Sequence, residues 1–299
     1  MTDSTISTSV AASRSSVLRR SIALMKPVTW FAPAWAFLCG SVASGGSTWS
    51  IEHVGRTALG MLLAGPILCG LSQVVNDWFD REVDAINEPQ RLIPAGRVTA
   101  RQVFVTIVVL AVLAIGIALY LSPEIALLTA VGMVLAVLYS APPVRAKRNG
   151  WVGNTLVALS YEGLPWIAGG LAFGALTWPS AALAGLFSFG TIGIMAINDF
   201  KSMAGDRQMG IRTLPVLYGA WGAAWLVVLI MAMSQLYVAV LLAASGRWLA
   251  AGIIALALVA QVPLQRTFLK DPIANAIKYS AGSSGLFVLG MLVAAIAVR

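Results

Sequence analysis

The chain has 299 residues, of which 59% are hydrophobic and 11% charged, and its mean hydropathy is +0.84. No soluble domain of this size is that apolar, so composition excludes a soluble globular protein and predicts an all-α polytopic membrane protein. A net charge of +8 would suit a nucleic-acid binder, but the cations sit in loops on one side of the apolar runs, which excludes that partner.

Residues 1–24 are rich in Ser, Thr and Ala, carry Arg14, Arg19 and Arg20, and contain no apolar run. They read as a disordered cytoplasmic tail ahead of one membrane domain over 25–299. A cleavable signal is excluded, since no apolar stretch separates the basic residues from Lys26-Pro27. Nine apolar runs follow, at about 28–44, 57–75, 101–121, 123–139, 151–172, 178–197, 219–243, 248–267 and 277–297. Of the 20 Lys and Arg, all but Arg56, Arg247 and Arg299 fall on the side that holds the N-terminus. That bias predicts an N-terminus in the cytoplasm of an inner membrane. Trp30, Trp49, Trp151, Trp178 and Trp248 fall near span ends, as interfacial belts require. Gly169, Gly170, Gly174, Gly282 and Gly285 are expected to let helices approach closely. Cys39 and Cys69 lie inside apolar runs and read as packing residues; His53, the lone histidine, reads as an outer surface residue.

The second run ends in Asn76-Asp77-Trp78-Phe79-Asp80-Arg81-Glu82-Val83-Asp84. At about 100° per residue, Asn76, Asp80, Asp84 and Asp77 lie near 0°, 40°, 80° and 100° on a helix, while Glu82 lies near 240°. Carboxylates crowded this way repel each other unless they share cations, and Mg²⁺ prefers such oxygen ligands and is commonly held against a phosphate. A solvated helix end is the bland alternative. Asn198-Asp199-Phe200-Lys201-Ser202-Met203-Ala204-Gly205-Asp206 closes a later run and repeats Asn, Asp and the distal Asp in register, with Ser202 in place of Asp80. The repeat predicts an internal duplication whose two acidic tips bracket one site.

Two carboxylate clusters facing across a cavity are what a pair of metal ions bridging a diphosphate would need, and such a ligand also needs cations. Arg91, seven residues beyond Asp84, and Lys201, Arg207 and Arg212 in or after the second motif could supply them or could merely follow the positive-inside bias. Arg91 and Lys201 adjoin the acids and read as functional, whereas Arg212 reads as a topological charge. The loop Tyr139-Ser140-Ala141-Pro142-Pro143-Val144-Arg145-Ala146-Lys147-Arg148 either binds an anionic head group or anchors to acidic lipid, and spacing alone leans to lipid. Glu162 falls about 16 Å into its run, near mid-bilayer, where a carboxylate usually marks a cavity; a structural hydrogen bond from a neutral Glu162 is the competing account.

The chain from residue 25 onward resembles the UbiA-type membrane prenyltransferase superfamily, and within it the chlorophyll synthase branch. The resemblance rests on Asn76 to Pro89, Asn198 to Lys201, Gly205 to Arg207 and Thr213 to Pro215, extended by Lys26 to Gly40, Tyr139 to Gly150 and Tyr161 to Trp166. It implies nine helices around a central cavity. It also implies that Asn76, Asp80, Asp84, Asp199 and Asp206 hold Mg²⁺, that Arg91, Lys201 and Arg207 hold the diphosphate, and that Tyr139, Arg145, Lys147 and Glu162 face the acceptor or cavity. The implied reaction moves a C20 chain from geranylgeranyl or phytyl diphosphate to the propionate of bacteriochlorophyllide, with pigment-biosynthesis or photosynthetic assembly proteins as partners. Ala204 stands where the branch would have an acid, Leu92 where it has Pro and Ala95 where it has Ser. Other members of the superfamily prenylate chlorophyllide, quinone precursors or haem. A transporter is the alternative of another class, since duplicated helices with polar ends also describe carriers.

Overall fold

The computed structural model describes residues 16–46, 50–174 and 176–299. Within them the chain is helical nearly throughout. Helix α1 covers 16–24, α2 Phe31–Ala43, α3 Ile51–Asn87, α4 Ala100–Leu121, α5 Pro123–Ser140 and α6 residues 150–171. Then come α7 Trp178–Ile197, the short α8 Met203–Gln208, α9 Leu214–Ala244, α10 Trp248–Lys270 and α11 Pro272–Val298. Side chains of Thr99, Ser122, Asn149, Thr177 and Asp271 cap the starts of α4, α5, α6, α7 and α11 by accepting from backbone N–H groups. The one extended pairing among the described residues is a parallel bridge between Asn149 and Arg212.

This is a multi-pass membrane protein. Seven of its described helices are long and apolar enough to cross a bilayer, or eight when α1 and α2, bent by 61° at Trp30, count as one span. The expected nine are therefore not all matched: α6 is absent from that count, and its polar Asn154, Ser160, Tyr161 and Glu162 explain why. Residues 16–24, which composition assigns to the tail, form α1. Leu24 of α1 is buried in the core, Arg20 donates to the carbonyl of Arg97 at 2.9 Å, and Gln102 donates to Ser21 at 3.1 Å. Residues 1–15 and the expected interfacial Trp49 lie outside the described residues.

Two hydrophobic cores divide the bundle, one joining α1, α3 and α4, the other α7, α9, α10 and α11, with α2 and α6 contributing to both. At the crossing of α2 and α6 a Cβ on Gly40 would stand 1.9 Å from the Trp166 carbonyl, and one on Gly169 would stand 2.1 Å from that of Phe37. Gly169 thus fulfils its expected role, while Gly174 and Gly285 face open space; Gly174 instead turns the chain with φ +74°. Two helices contain π segments, Leu63–Cys69 in α3 and Leu159–Gly163 in α6. His53 is not a free surface residue: it lies in α3, half-buried, edge-on to Phe173 at 5.0 Å.

Candidate active site

The first acidic motif is one continuous stretch of α3, as its periodicity predicts, but the four side chains divide into two pairs. Asp77 and Asp84, about 20° apart on the helix, take one side. Asp77 accepts from Lys26 Nζ at 2.6 Å, Asp84 from Arg91 at 2.9 Å, and Arg91 also lies 3.6 Å from Asp77 and pairs with Glu88. Asn76 and Asp80 take the other side. Lys147 Nζ donates to Asp80 at 2.5 Å and to Asn76 Oδ1 at 3.1 Å, while Arg145 reaches Asp80 at 3.1 Å and Ser140 reaches Asn76 at 3.3 Å. No three His, Cys, Asp or Glu side chains are gathered into a metal-binding group among the described residues. Cations from three segments separate the carboxylates.

Arg145 and Lys147 are therefore not lipid anchors: the turn at 141–145 delivers both to Asp80. Burial pushes the Lys147 ammonium below the ordinary lysine value, against the pull of Asp80. For Arg91, burial works the same way but is outweighed by Asp84, Asp77 and Glu88, which raise its pKa above the ordinary arginine value.

The second motif repeats the letters of the first but not its backbone. Helix α7 ends at Ile197, Asn198–Phe200 form one 3₁₀ turn, and the chain restarts as α8. Helical spacing does not hold there, so its two carboxylates face different partners. Asp199 Oδ2 accepts from Asn154 at 3.4 Å; Asp206 is buried and accepts from Ser202 at 2.7 Å and Thr213 at 3.4 Å. Lys201, Ala204 and Arg207 are exposed. The Arg212 backbone, however, pairs with the loop that carries Arg145 and Lys147: Arg212 N–H donates to Arg148 O and Gly150 N–H to Arg212 O, both at 2.9 Å. Asn87, at the end of α3, lies 3.8 Å from Met209.

The two tips face one cavity of about 480 Å³. Asn76, Tyr139, Asn154, Asn198 and Asp199 line its polar end, and the walls beyond are mostly apolar side chains of α2, α3, α5 and α6. Glu162 is a correction. It is buried beside the cavity rather than lining it, although Ser160, Tyr161, Leu164 and Pro165 around it do line it, and its Oε1 has no hydrogen-bond partner. Lys26, Ser140 and Asn154 join the site without having been singled out. Lys26 and Asn154 carried a signal, as a cation at the first apolar run and an amide four residues into the fifth.

An apolar cavity inside a helical membrane bundle, with a polar end at Asn76 and Asp199 beside the paired acids and cations, suits a substrate with an anionic head and a hydrocarbon tail. The class it defines is a membrane enzyme that transfers lipid chains. Residues 32–296 match the model of the UbiA prenyltransferase family, and the chain belongs to that family as a membrane prenyltransferase. Among its relatives are the bacteriochlorophyll synthase 34 kDa chain of Chloroflexus aurantiacus and the chloroplastic chlorophyll synthase of Oryza sativa subsp. japonica. The first is 54% identical, with 95% of this chain and 91% of the relative covered; the second is 42% identical, with 92% and 75% covered. A solved UbiA homolog from Archaeoglobus fulgidus, bound to GPP and Mg²⁺, shares the fold with a TM-score of 0.68 at 17% identity, covering 92% of this chain and 99% of its own.

Proposed function

We propose that this enzyme esterifies the propionate of bacteriochlorophyllide with geranylgeranyl or phytyl diphosphate, at the cytoplasmic side of an inner membrane. The observation that carries the reading is the convergence of Asn76 and Asp199, one from each acidic motif, on a single apolar cavity. The similarity to bacteriochlorophyll and chlorophyll synthases supports the choice of acceptor. A Mg²⁺ ion fits the donor set, because the polar end offers hard oxygen ligands and no nitrogen or sulfur ligand. Asn76, Asp80 and Asp199 would hold it; Asp84, paired with Arg91 on the other side of α3, and Asp206, already accepting two hydrogen bonds, are turned to other partners. When bound, the ion supplies positive charge to the departing diphosphate.

The protein's own groups account for the rest. Arg91, Lys147, Arg145 and Lys26 concentrate positive charge at the head-group end, and exposed Lys201 and Arg207 extend it. The apolar walls hold the chain and keep water from the allylic carbon as its C–O bond breaks. The nucleophile is a carboxylate, ionised at pH 7 because such acids titrate near pH 4–5, so the reaction needs no protein base. The only histidine, His53, is at the far end of α3.

Membranes containing the enzyme, given labelled geranylgeranyl diphosphate and either bacteriochlorophyllide or chlorophyllide, are expected to yield the esterified bacteriochlorophyllide in Mg²⁺ and none in EDTA. Undiminished synthesis in chelator would remove the metal from the scheme, and exclusive use of chlorophyllide would move the acceptor to the plant-type substrate.

A further inference from the structure

The cavity has a second polar level, deeper than the acids. Gln73 lies one turn of α3 inward from Asn76, and Cys69 two turns, about 4.5 Å and 10 Å along the axis. Gln73 Nε2 donates to Tyr161 Oη at 2.8 Å, and Cys69 Sγ lies 3.3 Å from the same oxygen and 3.3 Å from Thr29 Oγ1. Ser72 Oγ completes the group by donating to the Cys69 carbonyl at 2.7 Å. All five residues line the cavity. Cys69 and Tyr161 each lie in a π segment, Leu63–Cys69 and Leu159–Gly163. A π turn inserts a residue into a helix at some cost and recurs at functional sites. Here two of them, on different helices, meet at one contact. Polar side chains are expensive in a hydrocarbon-like cavity unless they serve a ligand or each other, and mutual bonding does not use the carbonyl oxygen or the second amide hydrogen of Gln73.

We propose that Gln73 and Tyr161 seat the carboxylate of the acceptor, with Thr29 and Ser72 as flanking hydroxyls. This rests on the reading above that the acceptor is a carboxylate. Every member of the group is neutral. A monoanion is satisfied by neutral N–H and O–H donors, whereas the diphosphate, with close to three charges, is drawn to the Arg and Lys end. The two anions are thereby sorted to two levels of one cavity, with the allylic carbon between them. A carboxylate oxygen at the inner level supplies the electron pair of the new C–O bond, the bond to diphosphate breaks with its pair leaving on the diphosphate, and no proton moves.

The test is equilibrium binding of bacteriochlorophyllide and of its propionate methyl ester to the intact detergent-solubilised enzyme, in Mg²⁺ and geranylgeranyl thiodiphosphate. Wild type is expected to bind the free acid at least tenfold more tightly than the ester, and Gln73→Leu and Tyr161→Phe to lose most of that preference while binding the thiodiphosphate within twofold of wild type. Equal binding of acid and ester by wild type overturns the proposal, as do variants that keep the preference or that weaken the thiodiphosphate instead. Should Tyr161→Phe misfold, Gln73→Glu replaces it: a carboxylate in that seat is expected to favour the methyl ester, and an unchanged preference counts against the seat. Discrimination by a wild-type enzyme that forms no ester when given geranylgeranyl diphosphate would instead defeat the reading of the reaction and leave this seat standing.

Discussion

Lys26 and Arg145 are the two described non-glycine residues with positive φ, at 46° and 42°, and both reach the acid row of α3. A left-handed backbone costs a residue with a Cβ about 1–2 kcal/mol. It is kept where the surroundings need the side chain aimed that way. Glycine and alanine separate the two contributions. Lys26→Gly removes the ammonium and relieves the backbone, while Lys26→Ala removes only the ammonium. Both are expected to lower turnover about tenfold, with the glycine variant more stable than the alanine variant by about 1 kcal/mol. Thermal unfolding in detergent and initial rates read the two effects; wild-type turnover in Lys26→Gly would make the cation structural. Asp80 is the harsher case, since it accepts from both Lys147 and Arg145. Asp80→Asn leaves a largely buried ammonium without its anion and deletes a proposed metal ligand. Turnover is expected to fall by at least about a hundredfold with the protein still inserted, and a variant within tenfold of wild type would remove Asp80 from the head-group site.

Among the elements, helix ends at the far face explain two of the three cations that break the charge bias. Arg56, on α3, donates to Leu121 O at 2.8 Å and to Ala172 O at 3.0 and 3.2 Å, which closes the C-terminal ends of α4 and α6. Arg247 donates to Ala297 O near the end of α11. Terminal carbonyls lack partners within their own helix, so each arginine satisfies groups that would otherwise face apolar surroundings. Arg56→Ala is expected to lower stability by about 1–3 kcal/mol with both Michaelis constants unchanged; a shifted donor constant would mean that the far face communicates with the site. Sequence could not show this, because the capped carbonyls are 65 and 116 residues away. What it could show was local. The wheel over Asn76–Asp84 holds because α3 runs unbroken through it. The same letters at Asn198–Asp206 do not form a wheel, because a 3₁₀ turn separates α7 from α8. Spacing alone leans to lipid anchors for Arg145 and Lys147 until the turn at 141–145 is seen to fold them onto Asp80.

At the scale of the whole molecule, the two motifs share a sequence pattern rather than a backbone. One tip is a helix side and the other a loop. Their ends still meet, through Asn87 against Met209 and across the cavity end where Asn76 and Asn198 both stand. Those two asparagines are the equivalent positions of the two motifs, and neither carries charge, so each can be shortened without leaving a buried ion. If both halves grip one leaving group, removing one contact lets the diphosphate shift and devalues the other. Asn76→Ala and Asn198→Ala are each expected to lower kcat/KM for the donor about tenfold, and the double variant to depart from the roughly hundredfold product by at least about threefold. Two sites that act on separate substrates would instead multiply. A double variant that falls on the product of the singles would leave the tips as neighbours in space with no shared ligand.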